Sequence, residues 1–555
     1  MIPLLRFDTG NTWLVAVMLL VMGGANSLYA QEDFKGSGEG VLAPAKEVTH
    51  RAVARAEKTV TASAPRRVKA AQPKKQATAA RMTPARKESR RTARATREKS
   101  KPVATSDARP TQPVQPARNP EPDADAYNDR GDALYDSGQY EKAVEAYRQA
   151  VRLDPEFAEA YNSLGDAYLH LNRNEEAAES YRQAVRLDPA WAEAHQGLGD
   201  AYLSLGRTAE AIESYKQAVR LDPNMAAAYS GMGEAYYKTG RQAEAIEALK
   251  QAVRLNPADT EAKGYLSTAY YELGVEHYNA GRYAEAIEAY QQVVQLKPDN
   301  ADAYNNLGDA YRRKGQLAEA AEAYKQAVRL KPDNAVAQAN LGLVYSQLGR
   351  YAEAVEAYKQ AVRLKSDDAD AYNNLAYALG RLRRWTESIE ASRQAIRLKP
   401  DDAEAYSNLG WGYNNTGRFA EAVEQLKQAM RLKPDLAVAH FNIGISYARL
   451  GQHKESIDSF TESIRLQPER AEAHNNLGYE YGSQGRWNDA IAAHKRAIQL
   501  KANYAGAYFN LGYAYLQIGD RNGAMEQYKV LQTMNPELAR KLYALIQQGP
   551  RRQVA

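Results

Sequence analysis

From Tyr127 onward, apolar and polar positions recur with the beat of a helix. In "AYNNLGDAYRRKGQ", Tyr304, Leu307, Gly308 and Tyr311 fall at i, i+3, i+4 and i+7, one stripe of a helix that ends at Gly315. In "AEAAEAYKQAVRLKP", Ala320, Tyr324, Ala327 and Val328 share a face of a second helix, with Pro332 just past its end. Small residues at Gly308, Ala320 and Ala327 let the two backbones approach closely. The pattern returns every 34 residues, with starts at 124, 158, 192, 226, 267, 301, 335, 369, 403, 437, 471 and 505, which makes twelve copies. One insertion, Thr260 to Leu266, breaks the period; its seven residues are close to two helical turns, so they can lengthen a helix and keep its buried face in register.

No copy can bury its stripe alone, so the copies must stack. The pattern therefore predicts an all-α solenoid of about twelve helix-turn-helix repeats over residues 124–538. After the last copy, "ELARKLYALIQQ" sets Leu538, Leu542 and Leu545 on one face with charges opposite, which predicts a capping helix leading into a tail, 539–555.

The recurring set is an aromatic-x-x-Leu-Gly-x-x-Tyr, then Gly, then Ala, Tyr, Ala and Pro. It resembles the tetratricopeptide repeat family from Ala124 to about Leu538. The resemblance implies a right-handed superhelix in which the first helix of each copy lines a continuous inner groove. Departures are local: Arg383 stands where the turn glycine belongs, with Gly380 displaced, and Ser366 and Ala502 replace the loop proline.

Charge divides the chain. The net +5 averages a basic segment, 1–123, holding 22 Lys and Arg against 11 Asp and Glu, and an acidic remainder. At the N-terminus Arg6 precedes the apolar run Trp13 to Gly24, and Ala30 is small enough for a cleavage position. This layout predicts a signal peptide, 1–30, and an exported, periplasmic or cell-envelope protein beginning at Gln31. Reading the run on to Ala30 gives the alternative, an inner-membrane anchor over 13–30. Residues 31–123 form a basic Pro- and Ala-rich linker with no aromatic after Phe34, too poor in apolar surface to order itself. Such a segment suits an anionic envelope polymer or lipid surface, whereas specific nucleic-acid recognition would want interleaved aromatics.

Candidate chemistry is sparse. With no cysteine, thiolate nucleophiles and cysteine metal sites are excluded. His195, His440 and His474 take the first aromatic position of a copy, and His453 and His494 take aromatic positions of the second helix, so each reads as a flat ring in a packing slot. No phosphate loop, nucleophile elbow or zinc signature occurs, and only eighteen residues follow the start of the cap at Glu537, too few for a catalytic domain. The expectation is a non-enzymatic protein with no cofactor and no metal.

What recurs instead is asparagine. With the first residue of a copy as position one, position six holds Asn306, Asn340, Asn374, Asn408, Asn442, Asn476 and Asn510 in the last seven copies. At 100° per residue, positions two, six, nine and thirteen lie opposite the packed stripe. A side-chain amide offers donors and an acceptor, the complement of a peptide unit, so this ladder could hold an extended backbone. It is similar to the asparagine ladder in the repeat domain of O-linked N-acetylglucosamine transferases. Replacing these asparagines with Ala should spare folding, Ala being the better helix former.

Position nine changes along the chain. Asp132, Asp166, Asp200, Glu234 and Asp309 predict an acidic groove; Leu343, Tyr377, Trp411, Ile445, Tyr479 and Tyr513 predict an apolar and aromatic one, open to solvent. The leading expectation is a scaffold that binds extended segments of partner proteins in its concave groove. The alternatives are a structural envelope protein gripping an anionic polymer through its basic segment, and a carbohydrate-binding solenoid.

Overall fold

The computed structural model describes residues 123–548. The expected signal peptide or anchor, residues 31–122 of the basic linker, and the tail 549–555 lie outside the described residues. Among the described residues all regular structure is helical, twelve consecutive helix pairs and one final helix. They fall into two compact units that divide at the Gly315 turn.

In the unit 123–315, first helices α1 (Ala124–Asp136), α3 (Ala158–His170), α5 (Ala192–Ser204), α7 (Ala226–Lys238), α9 (Thr260–Asn279) and α11 (Ala301–Arg313) alternate with second helices α2 (Tyr140–Leu153), α4 (Asn174–Leu187), α6 (Thr208–Leu221), α8 (Gln242–Leu255) and α10 (Tyr283–Leu296). In the unit 316–548, α12 (Leu317–Leu330) precedes the pairs α13 (Ala335–Gln347) and α14 (Tyr351–Leu364), α15 (Ala369–Arg381) and α16 (Trp385–Leu398), and α17 (Ala403–Asn415) and α18 (Phe419–Leu432). These are followed by α19 (Ala437–Arg449) and α20 (His453–Leu466), α21 (Ala471–Ser483) and α22 (Trp487–Leu500), α23 (Ala505–Gln517) and α24 (Arg521–Met534), and then α25 (Pro536–Gln548).

Several first helices start at an Asp or Asn whose side chain accepts backbone N–H groups of the first turn, as Asp368 does from Ala371 and Asp402 from Glu404 and Ala405. They end on a left-handed residue that returns the chain to the second helix. Ten turns place glycine there, at φ of 71° to 82°, and in the turn at Gly206 the N–H of Arg207 reaches back to the carbonyl of Tyr202 at 2.9 Å. The other two are Arg383 at φ 60° and Asn172 at φ 56°.

Packing within a copy follows from one large and one small residue. The second-helix tyrosine at position twenty-four lies over the glycine at position eight: a Cβ at Gly165 would sit 2.9 Å from the Tyr181 ring, and one at Gly199 would sit 2.7 Å from Tyr215. Tyr147, Tyr181 and Tyr215 are fully buried in consequence. The copy from Ala369 shows the reverse pairing, Ala376 at position eight and Ser392 at position twenty-four, both buried.

The seven inserted residues extend α9 as one continuous helix of 20 residues, capped by Asp259, with Ala262, Leu266 and Ala269 buried at helical spacing. At the C-terminal end α25 packs on α24 and α23 and buries Leu538, Ala539, Leu542 and Ile546. Leu545, expected on that face, is half-buried, because the helix turns Ile546 inward in its place.

Candidate functional site

In the unit 123–315 the acidic position nine is held from behind by the packing tyrosines. Having crossed the glycine, each ring presents its hydroxyl to the carboxylate one residue further on. Tyr147 donates to Asp132 at 2.7 Å, Tyr181 to Asp166 at 2.6 Å and Tyr215 to Asp200 at 2.7 Å. Burial, with the Asp200 carboxylate beside it, pushes the Tyr215 hydroxyl well above the usual phenol range, so it stays a donor. Glu234 pairs with Lys238 at 2.6 Å, and Asp309 lies 3.5 Å from Arg312.

In the unit 316–548 position nine departs from the sequence expectation. Trp411 and Tyr377 are buried, and so is Leu343; they do not stand in solvent. The reason lies one copy back. Three of the four aromatics at position nine pack against the residue that opens the preceding second helix, position seventeen. Trp411 meets Trp385 edge-on at 5.0 Å, Tyr377 meets Tyr351 at 6.2 Å and Tyr513 meets Trp487 at 6.0 Å. Tyr479, Tyr513 and Ile445 remain half-exposed.

The position-six asparagines are likewise tied to the preceding copy. Asn306 Nδ2 donates to the Tyr271 hydroxyl at 2.9 Å, Asn408 Nδ2 to Asn373 Oδ1 at 2.8 Å and Asn510 Nδ2 to Asn475 Oδ1 at 3.1 Å. In all three the acceptor is position five of the copy before. Asn306, Asn340, Asn408 and Asn442 are buried, whereas Asn374, Asn476 and Asn510 are half-exposed. At two of the earlier copies position six is glycine and the preceding tyrosine claims the space: a Cβ at Gly197 would run into the Tyr181 ring, and one at Gly231 would meet the Tyr215 hydroxyl at 2.5 Å.

The histidines sit in their packing slots and also make bonds the sequence reading did not include. His195, His440 and His474 each place Nε2 on the carbonyl of the preceding loop proline, Pro189, Pro434 and Pro468, at 3.1, 2.9 and 3.0 Å. His494 replaces the packing tyrosine and bonds Asn475 Oδ1 through Nδ1 at 3.0 Å, and burial drops its pKa to about 3. His453 opens α20 and reaches the buried carboxylate of Glu480 in α21 at 2.9 Å; burial raises the Glu480 pKa, against the pull of His453. That pair spans two copies, so no local motif announces it. Among the described residues no cluster of three or more His, Asp or Glu could hold a metal ion, and no helix is long and apolar enough to cross a membrane.

A family model described as the Cilia and flagella-associated protein 70 C-terminal domain matches residues 67–274 and, a second time, 261–442. Tetratricopeptide repeat models match 437–470, 478–519 and 505–538. One model laying itself twice along the chain reflects a repeated pattern. Among solved structures, the APC/C hetero-tetramer Cut9–Hcn1 is similar at 14% identity and a TM-score of 0.40, covering 76% of this chain and 96% of that one. A tetratricopeptide repeat protein from Parabacteroides merdae ATCC 43184 is similar at 20% identity and 0.37, covering 44% and 98%. MamA is similar at 30% identity and 0.28, covering 30% and 97%. A comparison with curated proteins gives no match. The repeated motif, the paired helices and the family models agree that the chain belongs to the tetratricopeptide repeat family, whose repeats typically serve as non-catalytic scaffolds for protein interaction.

Proposed function

We propose that this is an exported, non-enzymatic scaffold that holds extended segments of partner proteins against the first helices of its 316–548 unit. The observation that carries the reading is a set of half-exposed amides, Asn374, Asn476 and Asn510, with half-exposed rings at Tyr479 and Tyr513 on the same helices as the last two. An amide can bond a peptide unit of any sequence, and the rings add apolar contact that favours some side chains over others. Asn408 and Asn442 take a second role, locking one copy to the next or packing beneath the surface. Export rests on the apolar run Trp13 to Gly24 and the small Ala30.

Panning a library of random, unstructured peptides on the full chain tests the binding reading. Recovered peptides should be diverse in sequence yet compete with one another. Recovery of folded proteins alone, or of nothing, contradicts it. N-terminal sequencing of protein from its native host should begin at Gln31; an intact Met1 in a membrane fraction would mean an anchor.

A further inference from the structure

Position ten of a first helix is a tight slot. Ala167, Ala201, Ala235, Ala310 and Ala378 fill it with no exposure, and so does Ser446. The copy from Ala471 puts Glu480 there, at 1% exposure the most deeply buried carboxylate among the described residues. Position seventeen, which holds Tyr351, Trp385 and Phe419 in three successive copies, is His453 in the next. The two departures meet. His453 Nδ1 lies 2.9 Å from Glu480 Oε2 and ties α20 to α21. Ser483 Oγ stands 3.4 Å from the same ring nitrogen, so the three groups do not form a relay, in which hydroxyl and carboxylate would use opposite sides of the ring.

An ionisable pair therefore stands where other copies make an apolar contact. A carboxylate in such a slot is tolerated while a cation faces it and becomes costly once that cation is lost. Burial raises the Glu480 pKa and His453 draws it back down; among the described residues no other charged group acts on it. The remaining charges on helices packed against α21 are turned elsewhere. On α20, Lys454, Glu455 and Asp458 are exposed, and Glu462 pairs with Arg465. On α22, Asp489 pairs with Arg486, His494 bonds Asn475, Lys495 lies over Tyr515 and Arg496 donates to Gln499. On α19, His440 rests on the Pro434 carbonyl and Arg449 is exposed, while α23 carries no charge. On α21 itself, Glu472 takes Lys501 and His474 takes the Pro468 carbonyl.

We propose that His453 and Glu480 form a pH-operated latch, which holds α20 against α21 in acid and releases that junction as pH rises. The sign follows from the burial. With its folded pKa above the ordinary 4.5, Glu480 favours the closed junction fully below pH 4.5 and progressively less as pH climbs through the raised value. Imidazoles lose their charge near about pH 6.5, which removes the facing cation in the same direction. In acid the charged ring is tolerated, because His453 is half-exposed and water reaches it. Each copy touches only its neighbours, so the released junction opens locally while distant copies stay folded. Helix α21 also carries Asn476 and Tyr479, so opening would withdraw them from a bound segment; that consequence rests on the peptide-binding reading, whereas the latch does not.

Hydrogen–deuterium exchange of the full chain without ligand, corrected for the intrinsic pH dependence of amide exchange, tests the latch at about pH 5.5 and about pH 8. Glu480→Gln keeps the size and removes the charge. Glu480→Ala installs the residue that fills the slot in other copies and serves if Gln disturbs the packing. His494 responds to pH in the opposite sense, and comparing the unaltered chain with a variant cancels it. Opening of α20 and α21 in the unaltered chain, divided by that in either variant, should rise about tenfold from the lower pH to the higher. A ratio that stays constant or falls overturns the proposal, as does a rise spread evenly over all the copies.

Discussion

At the scale of single residues, two departures from the repeat make measurable forecasts. Arg383 occupies the left-handed turn position that glycine fills in ten other copies. That conformation costs an L-residue about 1–2 kcal/mol, partly offset because glycine loses more freedom on folding. Arg383→Gly should therefore stabilise the protein by about 0.5–1 kcal/mol, seen as a higher urea midpoint with an unchanged slope. Asn172→Gly should gain less, since Asn tolerates that region. His494 is the second departure. Its folded pKa is about 3 against an ordinary 6.5, so its stabilisation is complete above pH 6.5 and is lost as pH falls from there toward 3. At pH 5 the loss is about 2 kcal/mol, at ~1.4 kcal/mol per unit. His494→Phe, placing in that slot the ring that Phe460 supplies in the preceding copy, should flatten the pH dependence of the urea midpoint between 7 and 5. Asn475 Oδ1 still receives Asn510 in that variant and is not orphaned.

At the scale of the helix pair, size is conserved as a sum. A tyrosine at position twenty-four demands glycine at position eight, whereas Ser392 permits Ala376. Gly165→Ala should cost about 1–3 kcal/mol because the added Cβ meets the Tyr181 ring, and Gly165→Ala with Tyr181→Ser should recover part of that loss. Thermal unfolding of both variants decides it; equal losses would mean the ring has room to move. Between neighbouring pairs, the amide from position six to position five acts as a fastener. Asn408→Ala removes the donor from a buried Asn373 Oδ1 and should destabilise by about 1–3 kcal/mol, contrary to the expectation that Ala is harmless there.

These contacts also mark what the sequence could and could not disclose. Helix boundaries, the turn glycines, the twelve copies and the small-for-large packing were legible because each is a local pattern repeated many times. The surroundings of Trp411 were not. A helical wheel places position nine opposite its own second helix, and that much is correct. But the wheel knows one copy only, and Trp385, the ring that covers Trp411, belongs to the copy before. The same blindness hid the bond from Asn408 to Asn373, 35 residues apart, and the His453–Glu480 pair. An aromatic at position seventeen precedes an aromatic at position nine in Tyr351 with Tyr377, Trp385 with Trp411 and Trp487 with Tyr513, although Tyr140 and Tyr283 precede Asp166 and Asp309. Aligning each copy against its predecessor would have exposed that match.

At the scale of the whole molecule, one repeat builds two units of different character, an acidic one and a nearly neutral one with accessible amides. Peptide binding by that second unit is the central claim. The direct measurement is the affinity of a panned, unstructured peptide for the full chain and for Asn374→Ala with Asn476→Ala, two half-exposed amides outside the inter-copy fasteners. Each amide bond is worth about 0.5–1.5 kcal/mol, so the double variant should bind roughly five- to a hundredfold more weakly, with its helicity and melting temperature unchanged. An unchanged affinity, or a loss that appears only together with a loss of helicity, would contradict the claim.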